Sequence, residues 1–319
     1  MTIKNILIAT DFSDASHAAL RQALRFANTF GATLHILHVV DELEPGWYGV
    51  DDAKNRADAL RSAIKQEAQS MLQEMVPNDT GISVNTHVSM QLSFDVSATI
   101  NEYAAERDID LIVLGVRGQT DRSAYALGRI ASQVVEEAPC PVLATAESAP
   151  WESGDEPLSD IVAPVDFSKP SYKAYMHARH IAAAFGARLH LVFVAESRTV
   201  PLFSDTGLPG LQQVEMPAEI VDNSREALQH MIDHADGPAV DHKIHIEKGE
   251  PAAAVLDLIE RKGIGLAVIA TRGHSALKRL LLGSTTRRLL RMAPCPVLTM
   301  HASDNGAEAK RQLEDSETA

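Results

Sequence analysis

Two loops of the sequence combine glycine and arginine in a spacing that suits phosphate binding. Residues 115–118 read Gly-Val-Arg-Gly, and residues 270–273, 155 positions later, read Ala-Thr-Arg-Gly. Nine residues separate each loop from a further glycine, Gly128 or Gly283. Glycine lets backbone amides approach phosphate oxygens, and a helix N-terminus offers free N–H groups to an anion. A tight strand-to-helix turn uses such glycines too, but the repeated constellation favours a phosphate site.

The two loops differ in the residue that follows the last glycine. The first copy has Arg129 there and the second has Ser284. The Ser284 hydroxyl adds a donor for a phosphate, whereas Arg129 either blocks the pocket or points outward and grips a phosphate. Phe94 in the first copy also replaces Gly249 of the second. We therefore predict that the second copy holds the stronger site.

The same offset relates the rest of the two halves. The Asp-Phe-Ser segment at residues 11–13 recurs at 166–168, and Pro-Cys-Pro-Val-Leu at 139–143 recurs at 294–298. A period this long indicates a duplicated domain, because solenoid repeats are only about 20–50 residues long. The predicted domains span residues 1–146 and 159–301. Polar composition predicts a linker at 147–158 and a disordered tail at 302–319.

Short apolar runs alternate with helical patterns in each copy, which predicts the fold class. Fully apolar strands in a β-α-β order indicate a parallel sheet covered by helices on both faces. We predict an α/β protein with two tandem doubly wound, Rossmann-like domains. Ser13 and Gly31 predict the ends of the first helix. Ligands of such folds bind beyond the carboxyl ends of the strands, and Asp11 and Asp166 follow the first strand of their copies.

Charge and composition exclude several classes of protein. The 319 residues include 43 acidic and 29 basic side chains, a formal net charge of -14, and such a field opposes nucleic acid. The chain has no apolar stretch near the roughly 20 residues that span a bilayer, so we expect no membrane partner and a cytoplasmic location.

The P-loop pattern is missing, which excludes a P-loop ATPase at the level of sequence motifs. His230 and His234 lack an evident third ligand, and we predict no metal site.

These features together resemble the universal stress protein family. The resemblance rests on the loop pattern G-x2-G-x9-G-[S/T], the Asp-Phe-Ser segment and the Pro-Cys-Pro-Val-Leu strand, and it covers both halves of the chain. It implies tandem domains of the adenine nucleotide alpha hydrolase-like type that bind ATP or ADP, with Mg²⁺ as an accompanying ion. In single-domain members the final strands pair two chains. The resemblance therefore implies that the two domains pair within this chain, and a further homodimer is left open.

The resemblance also implies nucleotide-binding residues, with the Asp166 side chain at the ribose or adenine and the Val194 backbone at the adenine. The positions in the second copy are Pro164, Asp166, Val194, Thr271, Arg272, Gly273, Gly283, Ser284 and Thr285. The matching positions in the first copy are Ala9, Asp11, Val39, Gly115, Arg117, Gly118, Gly128 and Arg129.

No side chain is an evident general base for water attack, and we assign no catalytic residue. The leading hypothesis is a nucleotide-dependent stress-response or signalling module with at most slow ATP hydrolysis. Two alternatives are a nucleotide-free scaffold or binder of a small ligand or lipid, and a genuine ATP-hydrolysing enzyme.

Overall fold

A computed structural model describes most of the chain. The described residues are 2–41, 53–76, 80–91, 95–116, 127–146, 157–196, 198–203, 209–214, 218–271 and 282–300. They divide into two compact units, unit 1 with the described residues up to 146 and unit 2 with those from 157 onward. Each unit contains one copy of the repeat.

Unit 1 is a parallel sheet with crossover helices. Its strands lie in the order β3-β2-β1-β4-β5, and every neighbouring pair is parallel. The elements are β1 (Asn5–Ala9), α1 (Asp14–Phe30), β2 (Thr33–Asp41), α2 (Ala53–Met75), β3 (Val84–Gln91), α3 (Val96–Glu106), β4 (Leu111–Gly115), α4 (Arg129–Glu137) and β5 (Val142–Thr145). The chain turns to the other side of the sheet after β3, so the switch point lies between β1 and β4.

Unit 2 repeats this topology, with parallel strands in the order β10-β7-β6-β11-β12. The elements are β6 (Asp160–Pro164), α5 (Lys169–Phe185), β7 (Arg188–Ala195), β8 (Arg198–Phe203), β9 (Pro209–Val214), α6 (Ala218–His234), β10 (His242–Lys248), α7 (Pro251–Lys262), β11 (Leu266–Ala270), α8 (Ser284–Met292) and β12 (Val297–Met300). An antiparallel hairpin, β8-β9, is an addition that the sequence analysis did not predict. The predicted doubly wound α/β class is confirmed.

The first helix of each unit has the ends that its sequence predicts. The Ser13 hydroxyl caps α1 by accepting from the Ser16 N–H, and Gly31 ends the helix in the left-handed conformation at φ 64°. Ser168 and Gly186 do the same for α5, with φ 68° at the glycine. These caps fix where the chain leaves the first strand and enters the second, and so they set the register of the sheet.

Gly115 ends β4 directly beneath α1. A Cβ at this position would lie 2.9 Å from the carbonyl carbon of Ala15 and 3.0 Å from its Cβ. Real Cβ atoms are not found so close to backbone, so the packing of α1 on the sheet requires glycine here. Unit 2 has Ala270 at the matching position, and its side chain is buried. The first glycine of the loop pattern therefore has a packing role in unit 1.

We expect Gly115→Ala to destabilise unit 1 by about 1–3 kcal/mol, because the added methyl forces α1 away from β4. Urea unfolding followed by circular dichroism measures this. The matched control is Ala270→Gly, which removes a methyl and should cost less than about 1 kcal/mol. Equal stability of Gly115→Ala and the parent would contradict the packing role.

Unit 2 contains a hydrogen-bonded histidine pair on β7 and β10. His190 is buried, its Nε2 lies 2.8 Å from Asp160 Oδ1, and its Nδ1 lies 2.9 Å from His245 Nε2. The two rings stack with centroids 5.1 Å apart. Burial and the neighbouring His190 lower the pKa of His245 to about 4.

This pKa predicts a loss of stability in mild acid. Below about pH 6.5 the unfolded chain takes up a proton at residue 245, while the folded protein resists uptake until about pH 4. The free energy of unfolding should therefore fall between these pH values. We expect His245→Gln, which keeps an N–H donor but does not titrate, to flatten that fall. His234→Gln, at an exposed position of α6, is the control, and identical pH profiles for His245→Gln and the parent would refute the prediction.

Candidate functional site

A cleft of about 390 Å³ lies at the carboxyl ends of β1, β2 and β4 in unit 1. This is the switch point of the sheet, where doubly wound folds bind ligands. Its lining includes six of the residues that the sequence analysis assigned to this copy, namely Ala9, Asp11, Val39, Gly115, Gly128 and Arg129. The other two, Arg117 and Gly118, lie outside the described residues, as does Phe94.

Asp11 holds the turn between β1 and α1. Its Oδ1 accepts hydrogen bonds from the Ser13 N–H at 3.1 Å and from the Ser13 hydroxyl at 2.5 Å. Phe12 between them has a φ of 62°, and its N–H donates to Thr10 Oγ1 at 3.0 Å. Asp11 thus orders the start of α1 and also lines the cleft.

The N-terminus of α4 forms the opposite side of the cleft. Gly128 is the N-cap, and no side chain makes a capping hydrogen bond. The Gly128 N–H donates to Val116 O at 2.8 Å, and its carbonyl accepts from the Ser132 N–H. The first-turn N–H groups of a helix have no intrahelical partner, and the positive end of the helix dipole favours an anion.

Arg129 is exposed at the rim of this cleft. Its guanidinium donates to Gln133 Oε1, one turn further along α4, at 3.1 Å. The nearby Asp95 has its pKa lowered by hydrogen bonds from Ser97 and Ala98, and the charge of Arg129 adds to this. The side chain therefore follows the surface of α4, which favours the outward alternative over blockage.

Part of the cleft wall was not predicted from the sequence. No role was assigned to His38, yet this residue is part of the cleft lining, and its Nδ1 lies 2.8 Å from Thr10 O. The position next to Val39, at the carboxyl end of β2, was the signal that could have found it. The other lining residues not anticipated include Thr10, Ser16, Leu37, Val96, Ile100, Leu114 and Val116.

The residues predicted for the second copy lie at the corresponding ends of the strands of unit 2. Pro164 ends β6 and Val194 lies near the end of β7. Asp166 Oδ1 accepts from the Ser168 N–H at 3.0 Å. Thr271 is buried and its carbonyl accepts from the Gly283 N–H at 2.9 Å.

Ser284 and Thr285 form the first turn of α8, after the N-cap Gly283. Arg272 and Gly273 lie outside the described residues. The preference for unit 2 as the stronger site stays a prediction.

The two units place an arginine differently on their last helix. In unit 2 the Glu250 carboxylate caps α7 and pairs with Arg288 at 2.6 Å. The matching positions in unit 1 are Asp95 and Gln133, and the arginine stands one turn earlier, at 129. Arg288 is thus paired within the protein, whereas Arg129 stands at the cleft.

The described residues contain no group of three or more His, Cys, Asp or Glu side chains arranged to hold a metal ion. In the same part of the chain, no helix is both long enough and apolar enough to cross a membrane.

Comparison with known proteins relates both units to one family. A universal stress protein of Mycolicibacterium smegmatis is 25% identical over 306 residues, which cover 92% of this chain and 96% of that protein. Another, from Methanocaldococcus jannaschii, is 34% identical over 151 residues, 46% of this chain and 85% of the relative. A crystal structure of a universal stress protein from Archaeoglobus fulgidus shares the fold, with a TM-score of 0.61 at 18% identity, covering 93% of this chain and 98% of that one.

The model of the universal stress protein family matches residues 2–146 and again residues 158–301. These two matches coincide with the two copies of the β-α repeat and with the duplicated glycine loops. The chain therefore belongs to the universal stress protein family, as a tandem member with two such domains.

Proposed function

We propose that the chain binds an adenine nucleotide, ATP or ADP, in the unit 1 cleft and acts as a nucleotide-dependent stress-response or signalling module. The observation that carries this proposal is the cleft itself. It has an apolar wall on one side and an uncapped helix N-terminus on the other. A nucleotide has the same division into an apolar planar base and an anionic phosphate.

The span of the cleft suits this ligand. Its base side is lined by Leu37 and Val39 of β2, and its phosphate side by Gly128 of α4, which follows β4 in the chain. Strand β1 lies between β2 and β4. The two sides of the cleft are therefore separated by two inter-strand spacings, which is about 10 Å. Asp11 lies between them, and a carboxylate that already accepts from Ser13 retains capacity to accept from a ribose hydroxyl.

The proposal is for binding, with at most slow hydrolysis. Among the described lining residues, Asp11 is the one carboxylate. Its Oδ1 is engaged by Ser13, which suits a positioning role better than proton transfer from water. Bound nucleotide would act by changing the order of the surrounding loops. The size of this change is limited by the difference in nucleotide affinity between two states of the protein. The prediction that Mg²⁺ accompanies the nucleotide belongs to the same proposal.

We expect freshly purified protein to release ATP or ADP on denaturation, and Gly128→Asp to remove binding at unit 1. Aspartate is a favourable N-cap, so the variant should fold, while its carboxylate occupies the place of a phosphate. Mass spectrometry and titration calorimetry measure the loss, with an unchanged circular dichroism spectrum as the control. Gly283→Asp is the matched variant for unit 2, and comparing the two tests which site is stronger. A parent protein without nucleotide and without a thermal shift on adding ATP would refute the proposal.

Arg129 should contribute to phosphate binding. We expect Arg129→Ser, which introduces the residue of the other copy, to weaken ATP binding at unit 1 by about two- to fivefold, the range of an exposed ion pair. The salt dependence of ATP binding should fall as well, while adenosine should bind unchanged. Calorimetry at two salt concentrations measures both effects in the Gly283→Asp background. Tighter ATP binding by Arg129→Ser would mean instead that the arginine obstructs the cleft.

A further inference from the structure

The exposed side of α8 in unit 2 is basic. The helix buries its inner side against the sheet, and its exposed arginines are Arg287, Arg288 and Arg291. Met292, an apolar side chain that is 44% exposed, follows them at the end of the helix. Arginine and methionine are both enriched at protein–protein interfaces. These three arginines, which we call the basic face, stand out in a chain whose net charge is -14.

The equivalent helices of unit 1 end in acidic residues. Glu106 is the last residue of α3, and Glu136 and Glu137 are the last two residues of α4. Helix α3 leads into β4 and α4 leads into β5, and these strands are parallel neighbours, so both helices end at the same edge of the sheet. Glu106 and Glu137 are exposed, and Glu136 is half-buried. We call these three glutamates the acidic face.

Helix stability does not explain the acidic face. The C-terminal end of a helix dipole is negative, so it favours cations and disfavours glutamate. Helices α7 and α8 follow this rule, with Arg261 and Lys262 in the last turn of one and Arg291 in that of the other. Helices α3 and α4 have no basic residue in their last turns. A cation from another molecule would compensate the charge of these glutamates.

Two of the three arginines of the basic face can supply such a cation. Arg288 pairs with Glu250 of its own unit at 2.6 Å. Arg287 and Arg291 lie outside this ion pair, and both are exposed. They are four residues apart on α8, so their side chains are neighbours on the helix surface. Together they present two adjacent positive charges.

We propose that the basic face of one molecule docks on the acidic face of a second copy of this chain. The inference is independent of nucleotide binding. Arg291 stands at the position that Glu136 has in the repeat, so the two faces combine equivalent helices with opposite charge. Complementary charge gives specificity and fast association more than affinity. We therefore expect a weak, reversible association at micromolar concentrations of the protein.

Sedimentation velocity of the full chain tests the association, at about 0.15 M salt, where charges more than about 8 Å apart are largely screened. The parent should show a reversible increase in mass with concentration, either as a closed dimer or as longer assemblies. The double variant Arg287→Glu/Arg291→Glu should weaken association at least about tenfold, because like charges then face each other. The control Arg21→Glu/Arg225→Glu makes the same change in net charge at exposed positions of α1 and α6, and it should match the parent.

A mixing experiment tests whether the two faces meet each other. Glu106→Lys/Glu137→Lys, which reverses the charge of the acidic face, should also fail to associate by itself. An equimolar mixture of this variant with Arg287→Glu/Arg291→Glu should associate again, because each variant keeps the face that the other has lost. Thermal unfolding at or above the temperature of the parent verifies that both variants are folded.

The other outcomes overturn the inference. A parent that stays monomeric shows that the faces do not dock. If the Arg21→Glu/Arg225→Glu control weakens association as much as the α8 variant does, net charge and not the basic face is responsible. Association that persists in both face variants places the contact on another surface. A mixture that does not associate shows that the two faces do not bind each other, and the acidic face then has a different basic partner or none.

Discussion

A phenylalanine in the left-handed backbone region follows the first strand of each unit, and the rest of the site depends on this turn. Phe12 has a φ of 62° and Phe167 a φ of 60°, a conformation that costs a bulky residue about 1–3 kcal/mol. Two contacts offset the cost. An aspartate carboxylate just before it accepts from the serine N–H just after it, at 3.1 and 3.0 Å, and the ring packs on an aromatic side chain of the second strand. In unit 1 this turn starts α1, and its residues Thr10 and Asp11 line the cleft.

The two copies keep this frame and differ in what they attach to it. Their sheets have the same strand order and their first helices the same caps. The differences are at the carboxyl ends of the strands, where His38 stands opposite Phe193 in the repeat and Arg129 opposite Ser284. A core position constrains volume on every side, whereas a residue at a cleft meets ligand or water on one side. Duplication therefore left the sites free to diverge while packing held the fold.

Much of this architecture could be predicted from the sequence because local rules determine it. Apolar runs predict the positions of the strands, and Ser13 and Gly31 predict the ends of α1. The repeat offset predicts the corresponding strands and helix ends of unit 2. Three features could not be predicted in this way. The hydrogen bond of His38 requires the register of β2 against β1, and the need for glycine at 115 comes from α1 packing above it. The β8-β9 hairpin follows no signal that the repeat could supply, because the first copy offers no described counterpart.

The placement of Arg129 is a point where helix stability alone gives no explanation. A cation in the first turn opposes the helix dipole by about 0.3–1 kcal/mol. The equivalent position in unit 2 is Ser284, and Arg288, one turn later, pairs with Glu250 at 2.6 Å. In unit 1 the charge of Asp95 offsets part of the cost, but both side chains are exposed, and water screens their attraction. An anion bound at the start of α4 would interact favourably with both the dipole and the guanidinium. Under the proposed function, the same arginine stabilises the occupied state and slightly destabilises the empty one.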